Sequence, residues 1–217
     1  MSRTLKIDLY TDVVCPWCLV GAARLDRAVT ALPEDVVVDI ENHPFYLDPT
    51  TPAEGYDVQA MLRSKYGRDP RPMQIRVEAE AASAGLTLDL SKQPRTFPTQ
   101  RAHTLVRLAR PKGTQHALAN AIAAAYFLDH RPINEGEVLV EIATGFGFDA
   151  AEAVAAIADE EELAVTEALA IEAAQAGITG VPFTIFDQRF AISGAQPQEI
   201  FDRAVALALE PEASAAE

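Results

Sequence analysis

The two cysteines of the chain stand together as Cys15-Pro16-Trp17-Cys18, and a C-x-x-C pair is a unit of dithiol chemistry. Residues 5–10 ahead of it alternate and are rich in strand formers. After it, Leu19, Ala22, Ala23, Leu25, Val29 and Leu32 recur at helical spacing. The pair therefore sits where a strand feeds a helix. At a helix start the free N–H groups and the macrodipole favour negative charge, so the Cys15 thiolate is expected to be stabilised, with a pKa below the free value of ~8.5. Pro16 suits the first helical turn, where its missing N–H costs nothing. Cys18, one turn further in, can reach the same sulfur. Cys15 would attack a substrate disulfide and Cys18 would resolve the mixed disulfide; in reverse, the oxidised pair would pass its bond to a substrate dithiol.

Other uses of the pair fit less well. Structural zinc takes four Cys or His ligands; there is no other cysteine, and His43, His103, His116 and His130 show no ligand spacing. No metal is expected. A static C-x-x-C disulfide would close too small a loop to constrain a chain of 217 residues. Trp17, the single tryptophan, could offer an aromatic face to substrate or pack beside neighbouring helices. It cannot place a positive charge beside Cys15 as a histidine could. Cys15 is therefore expected to be less acidic than in a C-P-H-C protein, and the dithiol less oxidising.

The elements that must position these residues follow from composition and pattern. A hydrophobic content of 49% with 23% charged residues is ordinary for a globular chain. The net charge of −14 argues against nucleic acid, and no segment has the length and apolarity of a membrane span. Neither a secretory leader nor an anchor is legible, so a cytoplasmic setting is expected. Residues 36–41 read as a second strand that ends near His43-Pro44-Phe45, which makes a βαβ unit with parallel pairing. Helices are predicted over 58–66, 73–84, 98–110, 113–127, 135–145, 150–158 and 160–175, with Pro70, Pro72, Pro94, Pro111 and Pro132 punctuating them. Asn134 with Glu137, and Asp149 with Glu152, read as helix-start caps, and Gly177 as a left-handed helix end. Residues 183–186 and 190–192 then read as strands of a hairpin around Asp187-Gln188-Arg189, and 197–209 as a last amphipathic helix. The expected division is an α/β domain from 1–48 and 177–210, an all-helical insertion over 49–176 and a disordered tail at 211–217.

Strand, C-P-x-C at a helix mouth, second strand and a late Val181-Pro182 before a hairpin together resemble thioredoxin-fold proteins. With its large all-helical insertion the chain is similar to the DsbA family. The stretches Asp12-Val13-Val14-Cys15-Pro16-Trp17-Cys18, Phe45-Tyr46-Leu47, Arg101-Ala102-His103, Gly180-Val181-Pro182-Phe183 and Ser193-Gly194-Ala195-Gln196 resemble its FrnE-like branch. The resemblance implies that Cys15 is the nucleophile, Cys18 the resolving thiol and Pro182 a cis proline facing them. Val181 would offer main-chain groups to an extended substrate. It also implies that Pro16, Trp17, Phe45 and His103 border the substrate site and that Phe97 lies on the insertion nearby, although a capping or core role is the favoured reading for both His103 and Phe97. If one residue is inserted before Cys15, Asp8 would fall where related folds keep a proton-relay acid near the resolving cysteine. Thr11 and Asp12 are read only as shaping the loop into the helix.

The expected activity is that of a protein disulfide oxidoreductase, a reductase/isomerase or an oxidase, with Trp17 suiting a reductase or isomerase better than a dedicated oxidant. It would need no cofactor beyond its own dithiol, with glutathione or thioredoxin as reductant. Partners would be protein or small-molecule thiols and disulfides, and the chain a monomer or homodimer. Two rival functions remain. Glutathione-dependent hydroxychromene carboxylate isomerases and kappa-class glutathione transferases resemble the same plan but present a serine where this chain has Cys15. A chaperone-like binding module using the apolar surface around Trp17, Phe45 and Tyr46 would survive loss of both thiols.

Overall fold

The computed structural model describes residues 3–211; the tail expected at 211–217 lies outside the described residues but for Pro211. In chain order the elements are β1 (Arg3–Thr11), α1 (Pro16–Thr30), β2 (Val36–Pro44), β3 (Tyr56–Asp57), α2 (Val58–Tyr66), α3 (Arg71–Ser83), β4 (Arg95–Thr96), α4 (Gln100–Leu108), α5 (Gln115–Phe127), α6 (Gly136–Thr144), α7 (Ala150–Ala158), α8 (Glu160–Gln175), β5 (Phe183–Phe186), β6 (Phe190–Ser193) and α9 (Gln198–Ala208). The main sheet has the order β2-β1-β5-β6. β1 runs parallel to β2 with Ile7 opposite Ile40, and antiparallel to β5 with Ile7 opposite Phe186. This is the thioredoxin-like arrangement expected, with a helical insertion between β2 and β5.

Alternation along β1 decides which face is covered. Leu5, Ile7 and Leu9 are buried in one core with Leu25 and Ala28 of α1, Phe186, Ile192, and Phe201, Ala204 and Val205 of α9. Each large side chain buried there contributes about 1.5–3 kcal/mol. Asp8 and Tyr10 point to the other face. A second core joins Val13, Leu19 and Val20 to Leu105, Leu118, Ile122, Tyr126 and Leu139 of the insertion. α1 thus has two apolar sides, one for the sheet and α9, the other for the inserted helices.

Several predicted boundaries shift for local reasons. α3 begins at Arg71, ahead of Pro72, which is tolerated in the first turn. The helix expected over 98–110 ends as α4 at Leu108 and continues only as a 3₁₀ turn, Arg110–Lys112, around Pro111. Asp149 caps α7 as expected, accepting from the Glu152 N–H at 2.7 Å. Asn134 does not cap α6: Glu135 holds the cap position without a side-chain bond, and the Asn134 amide donates to Ala53 O, tying α6 to the first loop of the insertion. Gly177 ends α8 at φ 93°. The two-residue ladder of β3 with β4 was not legible in so short a pattern. In the hairpin, Asp187 and Gln188 take positive φ, and the Asp187 carboxylate accepts the Lys6 N–H at 2.8 Å.

Candidate active site at the mouth of α1

Cys15 is the residue before the first turn of α1, extended at φ −94°, with Pro16 at the helix start. Its N–H donates to Asp12 O at 3.0 Å, and its carbonyl accepts the Cys18 N–H at 3.0 Å, so the turn is closed by its own backbone. Both thiols are free and each residue is 4% exposed, yet they face different surroundings. Cys15 lines an open cleft of about 890 Å³ between the thioredoxin-like part and the insertion, with Trp17, Met61, Tyr66, Met73 and Phe97 among its walls. Cys18 lies behind it.

Across the cleft mouth, Val181 joins Pro182 through a cis peptide bond, and the Val181 carbonyl is 3.7 Å from Cys15 Sγ. Segments 166 positions apart in sequence thus form the two halves of one site. Gly21 makes this approach possible. A Cβ there would stand 2.8 Å from Pro182 Cγ, so the side of α1 facing the proline loop must be bare. Arg24, one turn further along, is 4% exposed. It donates to Ala195 O and Gln196 O, both at 3.0 Å, and to Glu80 Oε2 and Ser83 Oγ at 2.5 and 2.8 Å, clasping the loop after β6 to α3.

Burial pushes the Cys18 thiol well above its ordinary range; the adjoining Cys15 thiol and the Asp12 charge push the same way, while the Asp12 backbone opposes them. The sequence reading missed this role for Asp12. It is 2% exposed, with Oδ2 accepting the Leu47 N–H at 2.9 Å and Oδ1 the Val14 N–H at 3.4 Å. A carboxylate within the apolar stretch Val13-Val14 and its neighbours is the signal that could have marked it, because such a charge must find backbone donors.

The other predicted site residues separate. Pro16 and Trp17 line the cleft with Cys15 and Val181, and Trp17 also packs against the insertion core. His103 does not border the cleft. It is 3% exposed, with Nε2 3.4 Å from Asp12 Oδ1 but without a hydrogen-bond partner among the described residues, and its ring lies 5.7 Å from that of Tyr46. Helical packing turned it inward behind Asp12. Phe45 is also off the cleft wall, its N–H bonded to Thr11 O at 3.1 Å; Leu47, two residues on, lines the cleft instead. Asp8 pairs with His43 at 2.8 Å and groups with Glu41. The strand alternation that buries Leu9 turns Asp8 to this other face, and Asp12 is the carboxylate beside Cys18. Among the described residues, no helix is long and apolar enough to cross a membrane.

Comparison with known proteins agrees with this geometry. A probable DsbA oxidoreductase from Streptomyces coelicolor superposes with a TM-score of 0.84 at 36% identity, over 94% of this chain and 89% of that one. YwbO, an uncharacterised protein of Bacillus subtilis, is 26% identical over 203 residues, 93% of this chain and 96% of its own. The cytosolic disulfide reductase DsbM from Pseudomonas aeruginosa, solved with GSH, shares the fold at a TM-score of 0.67 and 21% identity, over 94% of this chain and 98% of that one. The DSBA-like thioredoxin domain profile matches residues 6–206. With nearly the whole chain matched and its dithiol set against a cis proline, the protein belongs to the DSBA-like thioredoxin domain family.

Proposed function

We propose that the protein is a thiol:disulfide oxidoreductase working through Cys15 and Cys18 with no bound cofactor. The observation that carries this is the asymmetry of the two thiols, with Cys15 in the cleft opposite the Val181 carbonyl and Cys18 buried behind it. Cys15 attacks a substrate disulfide as the nucleophile. Val181 presents main-chain groups to an extended substrate. Cys18 then displaces the reduced substrate, leaving a Cys15–Cys18 disulfide. The expected direction is reduction or isomerisation. The motif places Trp17 rather than a cationic residue between the cysteines, which suits a less oxidising dithiol. Substrates are protein or small-molecule disulfides, glutathione or thioredoxin the reductant, and the cytoplasm the setting.

Dithiothreitol-driven insulin reduction by the native protein, Cys15→Ser and Cys18→Ser tests this. Native activity, none with Cys15→Ser, and trapped mixed disulfides with Cys18→Ser are expected. An inactive native protein that binds glutathione tightly would point to the isomerase class. Equal suppression of aggregation by all three proteins without reduction would point to a binding module.

A further inference from the structure

The cleft at Cys15 is walled by more than the cysteine turn and Val181. α3 contributes Met73, Gln74 and Val77, and Met61, Phe97 and Phe127 stand among the other apolar walls. Its volume of about 890 Å³ is that of a small-molecule site, and main-chain pairing with Val181 does not call for it. On α3 the buried positions are Gln74, Val77 and Ala81, one helical face, so an amide stands where the pattern calls for an apolar residue. The other buried glutamines, Gln93 and Gln115, are satisfied at both ends. Gln93 donates to Arg95 O at 3.1 Å, with its Oε1 3.2 Å from His130 Nδ1; Gln115 accepts the Asn42 N–H at 3.0 Å and donates to Asn42 O at 3.1 Å. Gln74 is 4% exposed, yet its Oε1 has no hydrogen-bond partner among the described residues. An unmet buried acceptor costs free energy, and an amide can turn about its last torsion to present either end. The charged walls are Asp12, Asp48, Asp57 and Lys65, three carboxylates to one ammonium, so the cleft does not suit a polyanion.

We propose that the cleft binds a small disulfide with an apolar, uncharged body and an N–H group that donates to Gln74, which makes Gln74 the residue that selects the substrate. The inference rests on the oxidoreductase reading and names its substrate class. Cys15 attacks one sulfur of the bound disulfide, the substrate S–S bond breaks, and one half leaves as a thiolate. The other half stays in the cleft, bonded to Cys15. The Cys18 sulfur then bonds to Cys15, and the second half leaves in turn. The protons of the two attacking thiols pass to water or to the departing thiolates. The substrate gains two electrons and the dithiol loses two, which the thiol reductant of the same reading returns. Gln74 meets the substrate through its N–H and touches neither reacting sulfur. Met61 and Met73, unbranched and polarisable, let the apolar walls fit the body of the retained half.

Reduction of the meta- and para-aminophenyl disulfides, each compared with its N,N-dimethyl analogue, reads this contact, because methylation removes the N–H and keeps the ring. Every kcat/KM is divided by the rate of dithiothreitol alone with the same disulfide, which cancels differences in leaving group. At least one amino compound is expected to exceed its dimethyl analogue by about tenfold or more. Gln74→Leu and Gln74→Met keep the bulk and remove the amide, and should bring that ratio close to unity, chiefly through KM. A merely structural role would lower both rates and leave the ratio standing. Oxidised glutathione, measured in the same way, should rank below both amino compounds. A native ratio near unity for both pairs, as when Gln74 meets only water, would overturn the proposal. So would a ratio retained in both variants, or a preference for oxidised glutathione or for a leucine-flanked cystine peptide. Insulin reduction alongside any of these results leaves the oxidoreductase reading standing, whereas reduction of no disulfide at all would refute that reading instead.

Discussion

At the residue scale, the site is governed by what stands within a few ångströms of two sulfurs. The buried Asp12 carboxylate accepts the Leu47 and Val14 N–H groups, and its charge helps to raise the Cys18 thiol. Asp12→Asn removes the charge and is expected to lower the Cys18 titration midpoint, measured by the pH dependence of alkylation in a Cys15→Ser background. Trp17→His places an ionisable ring beside Cys15 and is expected to raise the reduction potential by about 30 mV or more, since 30 mV corresponds to about 1.4 kcal/mol for this couple; equilibration with glutathione reads it out. Gly21→Val drives a branched side chain into Pro182, whose Cγ would already be 2.8 Å from a bare Cβ. Insulin reduction is expected to fall roughly ten- to hundred-fold with the fold retained by circular dichroism. The motif cysteines were legible because nothing else in the chain shares their chemistry. Gly21 and Asp12 were not, because a bare helix position and a turn carboxylate acquire meaning only from the loops that come to meet them.

At the element scale, the periodicities located the helices and strands of the main sheet, while their ends were set by proline and by tertiary partners. β2 ends at Pro44, as the His43-Pro44-Phe45 stretch suggested, and there β1 offers Leu9, Tyr10 and Thr11 as parallel partners. The 3₁₀ turn after α4 carries Arg110, which donates to both oxygens of Asp39 on β2, at 2.7 and 2.9 Å. The guanidinium holds the Asp39 carboxyl below its usual value of 3.8. A depressed folded pKa means stability that is present above the unfolded value and lost as pH falls through the folded one. The urea midpoint is therefore expected to fall on going below about pH 4, less steeply in Asp39→Asn. Because both groups are partly exposed, the effect should be modest and weakened by salt.

At the scale of the whole molecule, the cleft exists because an insertion of helices folds back over α1 and leaves Cys15 at the seam. Arg24 fastens that seam, reaching α3 on one side and the Ala195–Gln196 loop on the other. Arg24→Met keeps the stem but strips the two carbonyls of their donor and is expected to cost about 2 kcal/mol in urea unfolding. It should also slow the attack of Cys15 by loosening the Val181-Pro182 loop. By itself the sequence determined the dithiol, its place on a helix start and the split α/β plan, because these depend on neighbours within a turn or a strand. Only the tertiary structure decided that Asp12 rather than Asp8 attends Cys18, that His103 turns inward while Phe97 faces the cleft, and that Gly21 must be bare. Each of those outcomes depends on which distant segment packs there, and local pattern carries no record of that partner. The opposition of Cys15 to Val181, 166 positions away, was implied by resemblance and became a measurable contact only when the chain was folded.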